Sequence, residues 1–447
     1  MGSSASLHPP NIERRLWEKG NFGTAPAVSL QKPETSLDLG SEELLVYCIP
    51  RRTNLITSPS VKQERFYQFL ILLATGWLTT MAGGVVPTVL PEMKLELALD
   101  PKWVGMLVST HALTSALSTP LFGILADRVG KLKVMLPCLV LYAIAGTSTA
   151  FLTDFSALII SRAVLGVASG GIAAATIGFL GSMYDGEART RILGYATSAM
   201  ATSAIVCPIL SGWVGQTHWQ YAFYIYGLGV PMAIVAAVFL KKSTRSSSVI
   251  EGDTKELLKL VTQPGILRLY LFIAVAAAIV YAVVIYTPLY LKGAIGADPQ
   301  LNGFVLAVRL VGVVLVSAFG ASRVAGRLGQ AKAIALGFSL MAMALVTIPV
   351  LTQLYLIVPA AILFGVGFGI ITPNLYDSLA IESPPELRTS VLAIGTGFNS
   401  LGQFISPALL GLVWNYAGLP IVFYATAGLA MVASFVSLVE HPQKRMG

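Results

Sequence analysis

Three ionisable side chains, His111, Arg162 and Arg309, interrupt runs of otherwise apolar residues. Counting inward at about 1.5 Å per helical residue, each lies very roughly 10 Å below one edge of its run. Ionisable groups inside a bilayer are costly, and they are usually functional. No Asp or Glu occupies the middle of any run: Glu92 stands just past the first, and Asp377 near one end of the tenth. The partner of such a cation is therefore polar backbone, water or an anionic solute. For Arg162 a scaffold role, binding helix ends, competes with a place on a solute path. His111 is either a proton carrier, since imidazole titrates near neutral pH, or a hydrogen-bonded structural residue.

The neutral candidates are weaker. Asn399 and Gln403 are four apart and share one helix face. Asn374 follows Pro373, whose ring kinks a helix and frees backbone groups. Trp77, Tyr281 and Tyr286 lie inside apolar runs, where aromatics serve packing more often than binding. A separate cluster fills residues 123–133, Gly-Ile-Leu-Ala-Asp-Arg-Val-Gly-Lys-Leu-Lys. Gly123 and Gly130 permit a tight reversal or a close helix approach. Asp127 has the charge to meet the positive N-terminal end of a neighbouring helix, such as the one that starts near Arg388. Arg128 and Lys131 have Asp185 and Glu187 as possible partners in the next loop of the same side. Together these would form a conformational latch. On the competing reading, the bases only fix topology and the glycines only turn the chain.

The elements that position these residues follow from composition. The chain has 447 residues, 55% hydrophobic and only 12% charged, about half the charged fraction of a soluble domain. Twelve apolar segments approach the roughly twenty residues that span hydrocarbon. They run continuously apolar, unlike the alternating strands of a barrel. The expected architecture is an all-α membrane protein of twelve helices. Residues 1–64 are polar and without period, so they read as a disordered cytoplasmic extension. Two six-helix halves, 65–241 and 266–440, flank a polar loop at 242–265. Basic residues crowd the loops on one side, which places both termini in the cytoplasm of a cell (inner or plasma) membrane protein. The formal charge of +8 therefore reports topology rather than a nucleic-acid partner.

An internal repeat supports the two halves. Shifted by 199 positions, Gly166 and Gly170 fall on Gly365 and Gly369, and Pro208 and Gly212 fall on Pro407 and Gly411. Gly130 falls on Gly329, while Asp127 becomes Gly326. A shift of 198 lays Gly105 on Gly303 and His111 on Arg309. Halves related in this way share an axis along the membrane normal.

Residues 123–133 closely resemble the loop between the second and third helices of the major facilitator superfamily. Arg162, Gly166 and Gly170 resemble its fourth-helix pattern of an arginine followed by spaced glycines. Cys207-Pro208-Ile-Leu-Ser211-Gly212 resembles the fifth helix of its drug antiporters, with cysteine and serine in place of two glycines. The resemblance covers about 66–439 and implies a secondary transporter working by alternating access. By that resemblance the chain is a monomer that exports a drug or small metabolite by proton antiport. Helices one and seven then line the cavity, and the glycines and proline of helices four and five pack helices. The acid that many drug antiporters carry on the first helix is not evident. Uptake or facilitated transport of an organic anion or sugar therefore stays open, as does a transporter-like receptor signalling through 1–64. No enzyme, cofactor or metal site is expected: no nucleotide-binding loop appears, and the four histidines lie far apart.

Overall fold

The computed structural model describes residues 59–183, 186–240, 254–385 and 387–439. The expected disordered extension falls outside these residues as far as position 58, and so does Asp185. Helix α1 begins at Pro59, runs to Gly84, breaks at Val85 and resumes over Val86–Glu96. Pro87 has no N–H to give to the Gly83 carbonyl four residues back, so the break falls there. The first half continues with α2 (Met106–Val129), α3 (Lys131–Ser148), α4 (Phe155–Met183) and α5 (Gly186–Val214). In α6, Tyr221–Tyr224 and Gly229–Phe239 are joined by one 3-10 turn. The second half contains α7 (Pro264–Ile295), α8 (Pro299–Phe319), α9 (Gln330–Thr347), α10 (Leu354–Ile381), α11 (Arg388–Ala417) and α12 (Leu419–Val439). Short helices Thr254–Val261 and Ala321–Leu328 lie in connections.

Ten of these elements are long and apolar enough to cross a membrane. The other two, α2 and α11, have the length but carry hydroxyls and amides along it, among them Ser109, Thr110, Thr114, Thr396, Asn399 and Gln403. These two helices meet across the boundary between the halves, where neighbouring protein replaces lipid around part of each surface. Polarity that would be costly in hydrocarbon is tolerated there.

Lipid tails are as apolar as leucine, so helices in a membrane associate by close packing at small residues. The sequence repeat marks where this happens. A Cβ on Gly166 would strike the His111 carbonyl, and one on Gly365 would strike the Arg309 carbonyl. Gly170 and Gly369 repeat the crossing one turn further on, against Ser115 and Val313. Helix α4 therefore lies on α2 just as α10 lies on α8. Buried tyrosines add interhelical bonds, Tyr142 Oη to the Leu78 carbonyl (2.7 Å) and Tyr270 Oη to the Val391 carbonyl (3.0 Å). Each such bond stabilises by only about 0.6 kcal/mol, so packing dominates.

Residues 123–133 differ from a loop. The helix runs through Asp127 to Val129, and the turn to α3 is Gly130 alone, at φ +110°. Gly329 makes the same one-residue link to α9 at φ +86°. At such φ values a side chain is strained, which is the physical need for glycine at both links.

Candidate functional site

The halves meet closely at the end away from Gly130 and Gly329. A Cβ on Gly303 of α8 would strike the Pro208 carbonyl of α5, and one on Gly212 would strike the Pro299 carbonyl. The repeat supplies the second seam. Gly105, at the start of α2, faces Pro407 of α11, and Gly411 faces the Lys102 carbonyl. Polar contacts reinforce this sealed end. Lys292 pairs with Glu92 at 3.0 Å, Asn302 donates to the Thr88 carbonyl, and Lys94 lies 5.3 Å from the Trp414 ring centroid. Towards the end that carries Asp127, the same seams part. Gly194, Ser198 and Ala201 of α5, Val314 of α8 and Gly397 of α11 are exposed, and a Cβ on Gly194 or Gly397 would meet nothing within 4 Å.

Beneath the seal lies a cluster from four helices. His111 of α2 is buried, with Nδ1 2.6 Å from the Val108 carbonyl. A carbonyl only accepts, so Nδ1 carries the proton and Nε2 is left as the atom that gains or loses one. A Cβ on Gly83 of α1 would stand 2.9 Å from His111 Nε2 and 3.8 Å from Tyr281 Oη of α7. Arg309, at the middle of the 21-residue α8, is close enough to Tyr281 to interact with it electrostatically. Tyr281 and Arg309 follow Gly83 and His111 by the same 198 positions. The cluster is thus a pseudo-symmetric pair in which glycine on one side faces tyrosine on the other.

Arg162 of α4 stands at the edge of this cluster, close enough to His111 to interact with it electrostatically. It is 1% exposed, donates to the Thr149 hydroxyl, and sits 5.4 Å from the centroids of both Phe223 and Tyr226. These partners all belong to the first half, while Arg162 Nε and Nη1 are buried without an acceptor among the described residues. Its replacement by glutamine is expected to lower the thermal midpoint of the purified protein. Loss of two cation–π contacts and a hydrogen bond amounts to roughly 1–3 kcal/mol.

Other sequence candidates fall away from the cluster. Trp77 lines an apolar cleft of about 540 Å³ between α1, α5 and α6, with Leu73, Ala199 and Met232. Tyr286 is fully buried, edge-on to Trp414, with its hydroxyl 3.5 Å from the Pro407 carbonyl, so it belongs to the seal. Asn374 donates to the Ile370 carbonyl at 2.7 Å, while Ser317 takes the Gly369 carbonyl that Pro373 leaves without a donor. Pro208 and Gly212 form one seam of the seal, and Gly166 and Gly170 the α2–α4 crossing. Gln403 does bond Asn399, at 2.6 Å, on one face of α11.

In the 123–133 motif, Lys131 is buried with its stem over Gly178, and Gly123 has open space beside it. Asp127, half-buried, and Arg128, exposed, make no hydrogen bond or ion pair among the described residues. Arg388 donates to the Ala380 carbonyl of its own half at 2.9 Å, and the Glu187 side chain lies outside the described residues. Sequence reasoning missed Gly83, which carries no chemistry of its own, and the Glu92–Lys292 pair. The 198-residue register that aligned His111 with Arg309 would have exposed Gly83 opposite Tyr281.

Comparison with known proteins agrees with this architecture. "Quinolone resistance protein NorA" of Staphylococcus aureus (strain MRSA252) is 23% identical over 384 residues, 83% of this chain and 96% of that protein. "Bacillibactin exporter" of Bacillus subtilis (strain 168) is 21% identical over 380 residues, 82% of this chain and 94% of that protein. Among solved structures, the inward-facing and occupied form of a bacterial homolog to the human lysosomal transporter Spinster superposes with a TM-score of 0.75 at 15% identity. It covers 86% of this chain and 97% of that one, a likeness of fold. The family described as Major Facilitator Superfamily matches residues 72–377 and again 269–446. The chain belongs to the major facilitator superfamily and is a multi-pass membrane transporter rather than an enzyme.

Proposed function

We propose that this transporter moves a small organic molecule out of the cell by proton-coupled alternating access, as a monomer in the plasma membrane. The observation that carries the reading is the pair of glycine seams, which close one end while the other stands open. The excess of Arg and Lys in the loops at the open end supports that end, and both termini, being cytoplasmic. The names of the NorA and bacillibactin relatives support export. His111 is the group we assign to the proton, because Nε2 faces the cluster and among the described residues no acid lies in mid-membrane.

One observation favours a second reading. Arg309 has no acid partner among the described residues, and an anion beside it would attract a proton onto His111, so anion and proton would travel together as in uptake. The sign of the pH dependence separates the two. In everted vesicles with an acid lumen, export by antiport predicts accumulation of organic solutes that a protonophore abolishes. Proton–anion symport predicts accumulation only with an alkaline lumen, and transport indifferent to either gradient contradicts both. His111→Asn keeps a donor for the Val108 carbonyl but cannot titrate. It is expected to keep solute binding and lose the dependence on the pH gradient.

A further inference from the structure

Resting on the transporter reading above, we infer that Asn399 and Gln403 of α11 bind the solute, and that the group they recognise is an uncharged amide. The contacts of α11 show which way this pair faces. Gly402 and Ser406 sit against the Ala274 and Ala278 carbonyls of α7, whereas Pro407 and Gly411 sit against Gly105 and Lys102 at the start of α2. A helix turns about 100° per residue, so two sectors separate these contact lines. One sector holds Leu401, Ile405 and Leu409, all exposed and apolar, and is the lipid face. The other holds Asn399, Gln403 and Trp414, whose ring meets Lys94 of α1 across the boundary between the halves. Asn399 and Gln403 are only half-buried on this inner face, and Thr396, one turn towards the open end, is exposed. Side chains that stay exposed between two protein contacts line open space between the halves. Pro407 of the seal stands one turn beyond Gln403, so the pair lies at the blind end of that space.

The hydrogen bonding of the pair selects the solute. Gln403 Nε2 donates to Asn399 Oδ1 at 2.6 Å, and neither side chain makes another hydrogen bond among the described residues. The return bond, from Asn399 Nδ2 to Gln403 Oε1, is not made. One face therefore offers donors on Asn399 and an acceptor on Gln403, one helical turn apart. An amide meets both, with its carbonyl on Asn399 and its N–H on Gln403. A carboxylate or an ester has no N–H for Gln403, and an ammonium has no acceptor for Asn399. A hydroxyl must serve both groups from one atom. The fold itself does not call for amides here. The matching positions of α5, 199 residues earlier, are Met200 and Ala204, although the seal residues Pro208 and Gly212 keep their counterparts Pro407 and Gly411.

Thermal-shift titration of the purified full-length protein tests this with 1-naphthamide, methyl 1-naphthoate and 1-naphthylmethanol. These probes share an apolar body and differ in the group offered to the pair. The amide is expected to bind about five- to fifty-fold more tightly than the ester, which keeps the carbonyl but leaves Gln403 Oε1 without a donor. The alcohol should also be weaker than the amide. Gln403→Met is expected to bring the amide down to the affinity of the ester and leave the ester unchanged. Asn399→Leu should weaken amide and ester alike. Each variant is read against its own ligand-free midpoint, so a folding defect is not mistaken for a binding one. Ile405→Ala, on the lipid face of the same helix, should keep the preference for amide over ester. Equal binding of amide and ester, no stabilisation by the amide, tighter binding of the alcohol, or an unchanged preference in Gln403→Met overturns the proposal. Each of these outcomes leaves the exporter reading standing, because binding does not depend on direction or coupling. Failure of pH-driven accumulation, conversely, leaves the amide site intact.

Discussion

Gly303→Leu is expected to abolish transport while the protein still reaches the membrane. A Cβ at this position strikes the Pro208 carbonyl, and a backbone atom in a helix cannot move aside as a side chain can. Overpacking of this kind costs roughly 1–3 kcal/mol or more. The cost falls on the sealed state, where this seam is made. At about 1.4 kcal/mol per tenfold, the sealed population drops about five- to over a hundred-fold. A cycle that must visit both states then stalls. Transport per molecule at matched membrane abundance reads the effect. Gly293→Leu, at a position where a Cβ meets nothing within 4 Å, is the control and should transport normally. Wild-type transport by Gly303→Leu would remove the seam from the cycle.

Asp127→Asn is expected to reduce the transport rate about five- to thirty-fold, with Gly326→Ala in the repeated copy within twofold of wild type. In the sealed state Asp127 has no ionic partner among the described residues. Its charge is therefore free to act when the open end closes and a helix N-terminus approaches. A carboxylate at such an end stabilises by up to about 1–2 kcal/mol, and its removal holds the protein in the sealed state. The copy lost the acid, and the space around Gly326 is open, so a methyl group there changes little. Initial rates at matched abundance decide the matter. Equal losses at the two positions would reduce the motif to a topology signal.

Much of the fold was legible because a bilayer constrains sequence strongly. A span must be apolar for about twenty residues, and helices that cross closely must present glycine. That is why Gly166 with Gly365, and Gly212 with Gly411, could be read from the repeat before their contacts were known. The 123–133 motif was legible as a tight reversal but not as a helix turned by one residue, since only φ separates the two. The site was less legible. Arg162 and Arg309 look alike in sequence, each a single arginine in an apolar run. What separates them is distant in the chain, because Thr149, Phe223 and Tyr226 converge on Arg162, whereas Arg309 makes no hydrogen bond among the described residues. Trp77 has mid-membrane depth but faces a cleft beside α6, because depth gives no direction around the helix axis. Gly83 was invisible to any search for reactive side chains, since its contribution is the close approach of α1 to His111.

The central claim is that one end opens as the other closes, and paired distances test it most directly. In a background without native cysteines, spin labels at Gln216 and Gln300 report the sealed end across the two halves. Labels at Arg128 and Arg327, also exposed and in opposite halves, report the basic end. When the pH gradient and solute are applied in lipid vesicles, the first pair is predicted to gain a longer-distance population. The second pair should gain a shorter one in the same proportion. A change at one end alone, or a single unshifted distance at both ends during active transport, would contradict alternating access between the glycine-seam end and the Asp127 end.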